Sequence, residues 1–289
     1  MRPIFALTVC LLLAPAALAS RQRAVRHPAA APPPAVSHVF VVILENTDAA
    51  AALEQPFIGR LISEGTWLRN YYALMHPSQP NYIALTAGSL YGVNNDNPIT
   101  LKVQHLGDLL ENRGLSWKAY AEDYPGNCSL VVESGEYVRR HVPFLSYDNI
   151  QKNRARCNAH IVNASELDAD IAAGTLPSFS LFVPNNRNNG HDTSVAFADQ
   201  WLENRFGSLL QDARFTRDLL FVLTFDEGTK NGDNRVATVL WGRAVKAGAI
   251  SDFYFDHYSL LHTIEKIFGT GSLGQHDQNA STMMDLIAH

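Results

Sequence analysis

Two short apolar runs each stop at an acidic pair. Val39 to Leu44 ends at Glu45-Asn46, and Leu219 to Phe225 ends at Asp226-Glu227. Three carboxylates and an amide are oxygen donors suited to a hard or mixed metal site. Runs this rich in Val, Ile, Leu and Phe read as strands buried on both faces, as in a parallel sheet. Open α/β sheets place their chemistry just beyond the carboxyl ends of the strands. The expectation is that the two pairs, far apart in the chain, meet on one rim of one sheet around a divalent ion.

A hydroxyl follows the next probable strand, in His76-Pro77-Ser78-Gln79-Pro80-Asn81-Tyr82. Ser and Pro here read as the start of a helix. Backbone N–H groups and the helix dipole favour an anion at such a place. Ser78 is therefore either a plain N-cap or a nucleophile that attacks, and then carries, a phosphoryl group. The Asn-rich loop Pro184 to Asp192 follows the predicted strand Phe179–Val183. Polar loops on a rigid scaffold commonly serve binding. His191 is suited to ligating a metal or moving a proton, the alternative being a turn with Asp192 as a cap. Asp256-His257-Tyr258-Ser259 opens the last long helix, and His257 there could face the same rim. His262, inside that helix, reads as a packing or surface residue, and His105 as a residue at another helix start.

These groups need a scaffold. Apolar runs alternate with amphipathic segments from about residue 37 onward. Predicted strands are 39–44, 67–72, 116–120, 179–183, 219–225 and 237–241. Predicted helices are 52–64, 81–87, 106–113, 165–173, 195–211 and 258–268. Such alternation predicts an α/β layered fold on a mostly parallel sheet. The 289 residues, 46% hydrophobic and 18% charged, are those of an ordinary globular protein with a sizeable core. Formal net charge is −5 and no run of Lys or Arg occurs, which argues against nucleic acid as a partner.

The first 19 residues read as a signal peptide: Arg2, an apolar stretch from Ile4 to Leu13, and cleavage near Ala19. The apolar stretch is shorter than the ~20 residues of a membrane span. A secreted or periplasmic protein without stable membrane insertion is expected. Residues 20–36 are Ala/Pro-rich and read as a linker. Residues 37–289 are then one catalytic domain. Beyond the leader only Cys128 and Cys157 are present, and in an oxidising compartment they read as one disulfide. It would close residues 128–157, a polar stretch carrying Arg139-Arg140-His141, over the active edge.

Together the motifs resemble a known family. Leu44-Glu45-Asn46, His76 to Tyr82, Pro184 to Asp192, Asp226-Glu227-Gly228 and His257-Tyr258-Ser259 occur in the order found in bacterial and fungal acid phosphatases related to phospholipase C. That family belongs to the alkaline-phosphatase-like superfamily. The resemblance covers nearly all of the chain after Ser37 and implies a three-layer αβα sandwich. It implies that Glu45, Asn46, Asp226 and Glu227 bind metal and that Ser78 is the nucleophile. His191 and His257 fall on family histidines of the rim. Asn81 belongs to the nucleophile signature and is expected to bind substrate, His141 resembles a position near substrate, and a residue of the turn 94–97, for which Asn95 is favoured, would bind a phosphoryl oxygen. Asn189 departs from the Asp of many relatives. Asn46 and Glu227 replace the Asp and His of two-metal relatives, so one divalent ion is expected. Oxygen ligands suit Ca²⁺, Mg²⁺ or Mn²⁺, and imidazole would admit Zn²⁺ or Fe. The chain also stops soon after the His257 helix, without the extra domains of the large phospholipases C.

The implied activity is hydrolysis of phosphate monoesters through a phosphoserine, with a small phosphorylated substrate. The alternatives are phosphodiester or phospholipase C-like cleavage, a phosphoinositide phosphatase in which Arg139-Arg140 help hold the head group, and a non-catalytic metal- or ligand-binding module.

Overall fold

Residues 36–287 are described by a computed structural model. The expected signal peptide and nearly all of the expected linker lie outside the described residues. The two apolar runs form strands β1 (His38–Leu44) and, later in the chain, β8 (Leu219–Phe225). Between them come β2 (Thr66–Tyr72), β3 (Trp117–Ala121), the hairpin strands β4 (Glu133–Ser134) and β5 (Tyr137–Val138), β6 (Ile161–Asn163) and β7 (Phe179–Val183). After β8 follow β9 (Thr238–Trp241) and β10 (Ala249–Asp256).

Eight of these strands form one sheet, in the order β10-β2-β9-β8-β1-β7-β3-β6. All neighbours are parallel except β9, which runs against both β2 and β8. Strands β1 and β8 are direct neighbours and their last residues, Leu44 and Phe225, are in register. Both strands are buried almost throughout, as expected of central strands. Phe40 stacks on Phe221 across this pair at 6.0 Å and takes the edge of Phe215 at 5.2 Å. Aromatic pairs of this kind contribute ~0.5–1.5 kcal/mol beyond their buried area.

Helices cover both faces, giving the three-layer αβα sandwich. One layer holds helices Ser78–Ala87, Leu106–Asn112 and His257–Phe268, which pack on one another. The other includes Pro56–Glu64 against Val195–Phe206. Local chemistry sets several helix starts. Ser194 accepts from the Phe197 N–H, Asp256 from the Ser259 N–H, and His105 forms a capping box with Asp108.

Some expectations change. The helix predicted over 52–64 is two, Ala49–Leu53 and Pro56–Glu64, because Pro56 lacks the N–H needed to continue the first and suits the first turn of the second. The helix predicted over 195–211 stops at Phe206 before Gly207, and Leu209–Gln211 is a separate 3₁₀ turn. Strand β10 stands where no element is predicted. It is an edge strand with Phe253 and Tyr254 exposed, so no continuous apolar run marks it.

Cys128 and Cys157 are joined in a disulfide. The segment between them is less polar in its packing than its composition suggests. Val142, Phe144, Leu145, Tyr147 and Ile150 are buried in it, on short 3₁₀ and helical turns.

Candidate active site

The parallel pairing of β1 and β8 carries straight on into the two acidic pairs. The Asp226 N–H donates to the Leu44 carbonyl at 3.0 Å, and the Asn46 N–H donates to Asp226 Oδ1 at 3.3 Å. Thr47 N–H then meets the Glu227 carbonyl at 3.2 Å. Asn46 takes a left-handed backbone, φ 48°, a conformation that Asn tolerates better than most residues. The turn lets Glu45 and Asn46 leave the strand together at the rim. Glu45, Asp226 and Glu227 are all buried there.

Ser78 comes to the same rim from β2. The loop 73–77 is pinned by Asn81, whose Oδ1 accepts from the N–H of Leu74 and of Met75 at 2.9 and 3.3 Å. Its Nδ2 donates to the Met75 carbonyl at 2.7 Å. The helix starts at Ser78 itself, earlier than expected, and the hydroxyl does not cap it. Ser78 Oγ lies 3.0 Å from Glu45 Oε2 and 3.5 Å from Glu227 Oε1. The capping acceptor is Asp96, whose Oδ1 takes the Gln79 N–H at 2.9 Å. So the plain N-cap alternative for Ser78 fails, because its hydroxyl points to two carboxylates.

Burial and mutual repulsion set the electrostatics. Burial, and next the Asp226 charge, push Glu45 well above the usual carboxylate range. Burial and then Glu227 raise Asp226 to about 7, and burial and then Asp96 raise Glu227 to about 7. Glu45 also accepts from the Tyr82 hydroxyl, and Glu227 Oε2 faces His76 Nδ1 at 2.7 Å. Asn46 Oδ1, Asp226 Oδ2 and the Asn189 amide nitrogen are buried with no partner among the described residues. Unpaired buried acceptors are costly. Among the described residues no group of three or more His, Cys, Asp or Glu side chains is arranged by itself to hold a metal. The orphaned acceptors are what fit a cation: Asn46 Oδ1 and Asp226 Oδ2, beside two further carboxylates that share one serine hydroxyl.

The candidate histidines separate. His141 is fully buried and stacks on Tyr82 at 5.3 Å, with Nε2 3.4 Å from Glu45 Oε1. Neither of its ring nitrogens has a hydrogen-bond partner among the described residues. Burial, then Arg140 and His191, hold its pKa well below the ordinary value. His191 lies 6.4 Å from it, ring to ring, with its own Nδ1 on Asp192 Oδ1 at 2.5 Å. His257 is placed differently from the expectation. Its Nδ1 meets the Tyr71 hydroxyl at 3.0 Å and its Nε2 the Asp226 carbonyl at 2.7 Å. Both nitrogens are engaged, so His257 braces the Asp226 backbone and has none left for a proton in the site.

Two further expectations are corrected. The Asn81 amide is committed to the loop that carries Ser78, not turned outward to a substrate. Asn95 is exposed and keeps its side chain within its own turn, on Asn94 Oδ1 at 2.9 Å and the Asn97 N–H at 3.0 Å. The side chain of that turn that reaches the Ser78 helix is Asp96. Reasoning from sequence passed over Asp96, Tyr82 and His76. The last two stand inside the Ser78 motif, and their nearness to it was the available signal.

The chain is similar to known proteins along most of its length. It is 33% identical over 268 residues to a probable acid phosphatase of Kluyveromyces lactis, covering 88% of this chain and 63% of that protein. It is 34% identical to an acid phosphatase of Aspergillus fumigatus, covering 88% and 60%. The chain thus spans about three fifths of the length of these two fungal relatives. A phosphatidylinositol-3-phosphatase of Mycobacterium tuberculosis is 33% identical over 258 residues, with 88% of this chain and 83% of that protein covered. Among solved structures, an alkaline phosphatase superfamily protein from Vibrio parahaemolyticus superposes with a TM-score of 0.60 at 11% identity, covering 88% of this chain and 72% of that one. A phosphonate monoester hydrolase of Agrobacterium radiobacter gives 0.58 at 11% identity, covering 87% and 77%. The fold is thus that of the alkaline phosphatase superfamily, and with the Phosphoesterase family matching residues 50–271, the chain belongs to that family.

Proposed function

We propose that this protein is a secreted, metal-dependent phosphatase that hydrolyses phosphate monoesters through a phosphoserine at Ser78. The observation that carries the reading is the Ser78 hydroxyl, buried at a helix start, 3.0 Å from Glu45 and 3.5 Å from Glu227. A hydroxyl so placed has a base in reach and an anion-favouring helix end behind it.

Glu45, Asn46, Asp226 and Glu227 would hold one divalent ion. When bound, the ion would supply Lewis-acid stabilisation of charge on the serine and phosphoryl oxygens. The chain's own groups then account for the proton traffic. Glu45 Oε2 takes the proton as Ser78 Oγ bonds to phosphorus and the ester P–O bond breaks. The leaving oxygen takes a proton from His191, whose ring is oriented by Asp192. His191 then takes a proton from water as its oxygen bonds to phosphorus, the P–Oγ bond breaks, and Ser78 recovers its proton from Glu45. His141, unpartnered beside Glu45, would meet substrate. Asn81 and His257 act by holding Ser78 and Asp226 in place.

Ser78→Ala tests the reading. Hydrolysis of an aryl phosphate with added divalent metal should fall on the order of 10³-fold or more. Activity within a fewfold of wild type would remove Ser78 as nucleophile.

One observation favours a narrower substrate. The Mycobacterium tuberculosis relative named for phosphatidylinositol 3-phosphate is matched over 83% of its length, more than either fungal relative. A phosphoinositide monoester is therefore a second substrate to assay beside small aryl and alkyl phosphates. No helix among the described residues is long and apolar enough to cross a membrane. Mono- and diester rates measured side by side separate both readings from a phospholipase C-like activity.

A further inference from the structure

Two arginines precede His141, and the fold gives them different work. Arg139 is buried and turned inward. Its Nη2 donates to the Ile99 and Leu145 carbonyls at 3.1 and 3.0 Å, and its Nη1 to the Leu130 carbonyl at 3.3 Å. A guanidinium with this many carbonyl partners is structural.

Arg140 is placed otherwise. Only 16% of its side chain is exposed, and its one hydrogen bond among the described residues is from Nη1 to Glu133 Oε1 at 3.0 Å. Its Nε stands 3.8 Å from Asp96 Oδ2, beyond hydrogen-bond length. Among the described residues Nε and Nη2 have no acceptor. The other oxygen of Asp96 accepts from the Gln79 N–H, next to Ser78 in the chain. One carboxylate thus stands between a guanidinium and a helix-start N–H, beside the nucleophile. His141, the next residue, brings two unpartnered ring nitrogens beside Glu45 and Tyr82. Guanidinium forks and helix-start amides are both strong donors to phosphoryl oxygens.

We infer that Arg140 and the Gln79 N–H form the subsite for the phosphoryl oxygens of the substrate, and that the Asp96 carboxylate occupies this subsite in the ligand-free protein. The inference rests on the phosphatase reading above and adds a specificity-determining residue to it. Asp96 is a single negative charge held by one good and one long contact. A phosphate group offers more charge and more oxygens to the same donors, so it exchanges for the carboxylate. No bond is made or broken in this exchange. Glu133, on the short hairpin, tethers the far edge of the guanidinium without touching the subsite.

Steady-state kinetics with an aryl phosphate and inhibition by inorganic phosphate test the inference in the full chain loaded with metal. Arg140→Gln should raise both KM and the phosphate inhibition constant on the order of 10- to 100-fold, as for loss of a charge-assisted hydrogen bond. Arg140→Lys should restore part of this, since it keeps the charge and loses the fork. Asp96→Asn keeps an acceptor for Gln79 and removes the competing charge, so phosphate should bind severalfold more tightly. KM and phosphate inhibition within twofold of wild type in both Arg140 variants would overturn the inference. So would weaker phosphate binding in Asp96→Asn. An inactive wild type would instead defeat the phosphatase reading itself, so the two failures are distinct.

Discussion

Ser78 Oγ and Glu45 Oε2 lie 3.0 Å apart although 33 residues separate them in the chain. Each reaches this point for a separate physical reason. Glu45 leaves the end of a central parallel strand, and Ser78 opens a helix whose loop is pinned by Asn81. The pair is buried, and Glu227 is the second acceptor for the same hydroxyl. A hydroxyl can donate to only one carboxylate at a time, so the second acceptor is left for something else.

Metal removal should show what that is. Asp226→Asn should lower bound divalent metal well below wild-type stoichiometry. It should cost on the order of 10²-fold or more in rate, as for loss of electrostatic stabilisation at a developing charge. Elemental analysis of the purified protein, beside the rate, checks both. Unchanged metal and rate would take Asp226 out of the metal site.

The raised carboxylates give stability a definite pH dependence when the metal is stripped. Asp226 and Glu227 titrate at about 7 when folded, against ~3.9 and ~4.3 when unfolded. Between these values the unfolded chain has lost protons that the folded chain still holds. Stability is therefore fully present below about pH 4 and is lost as pH rises through about 7. Glu265, buried on the last helix near Asp277, is raised to about 9 by burial and then by that neighbour, so it extends the same trend. Thermal melts of chelated protein from pH 4 to pH 9 should fall by several degrees, and Glu265→Gln should flatten the alkaline part. Added metal should protect more at pH 8 than at pH 4, because protons and metal compete for the same oxygens. A Tm independent of pH in the chelated protein would contradict this.

The two rim histidines should separate in mutants. His191→Gln should lower kcat for all esters by ~10²-fold through the lost base on water, and should lower kcat/KM most for esters with poor leaving groups, since only these need a proton donor in the first step. His257→Gln should lower kcat evenly across leaving groups, and lower the melting temperature, because it loosens the Asp226 backbone. A leaving-group dependence confined to His257→Gln would reverse the assignment.

How much of this was legible beforehand depended on the kind of contact. Continuous apolar runs mark β1 and β8, and their ends place the acidic pairs. Strand β10 was invisible because an edge strand with Ser251 and Asp252 beside exposed Phe253 has neither a clean run nor a clean alternation. The disulfide followed from a count of cysteines. Long-range side-chain partners left no local trace. Nothing near Asn95 or Asp96 says which of them turns to the Ser78 helix, because register in a polar turn is set by tertiary contacts. The Tyr71 hydroxyl that occupies His257 comes from 186 residues away.

The central claim is a covalent phosphoryl group on Ser78. Enzyme loaded with metal and mixed with an aryl phosphate at acidic pH, quenched in acid within the first turnovers and mapped by peptide mass spectrometry, tests it most directly. The account predicts phosphate on the peptide containing Ser78, at that residue, and its absence in Ser78→Ala. Steady turnover with no phosphorylated Ser78, or with phosphate trapped on a histidine, would contradict it.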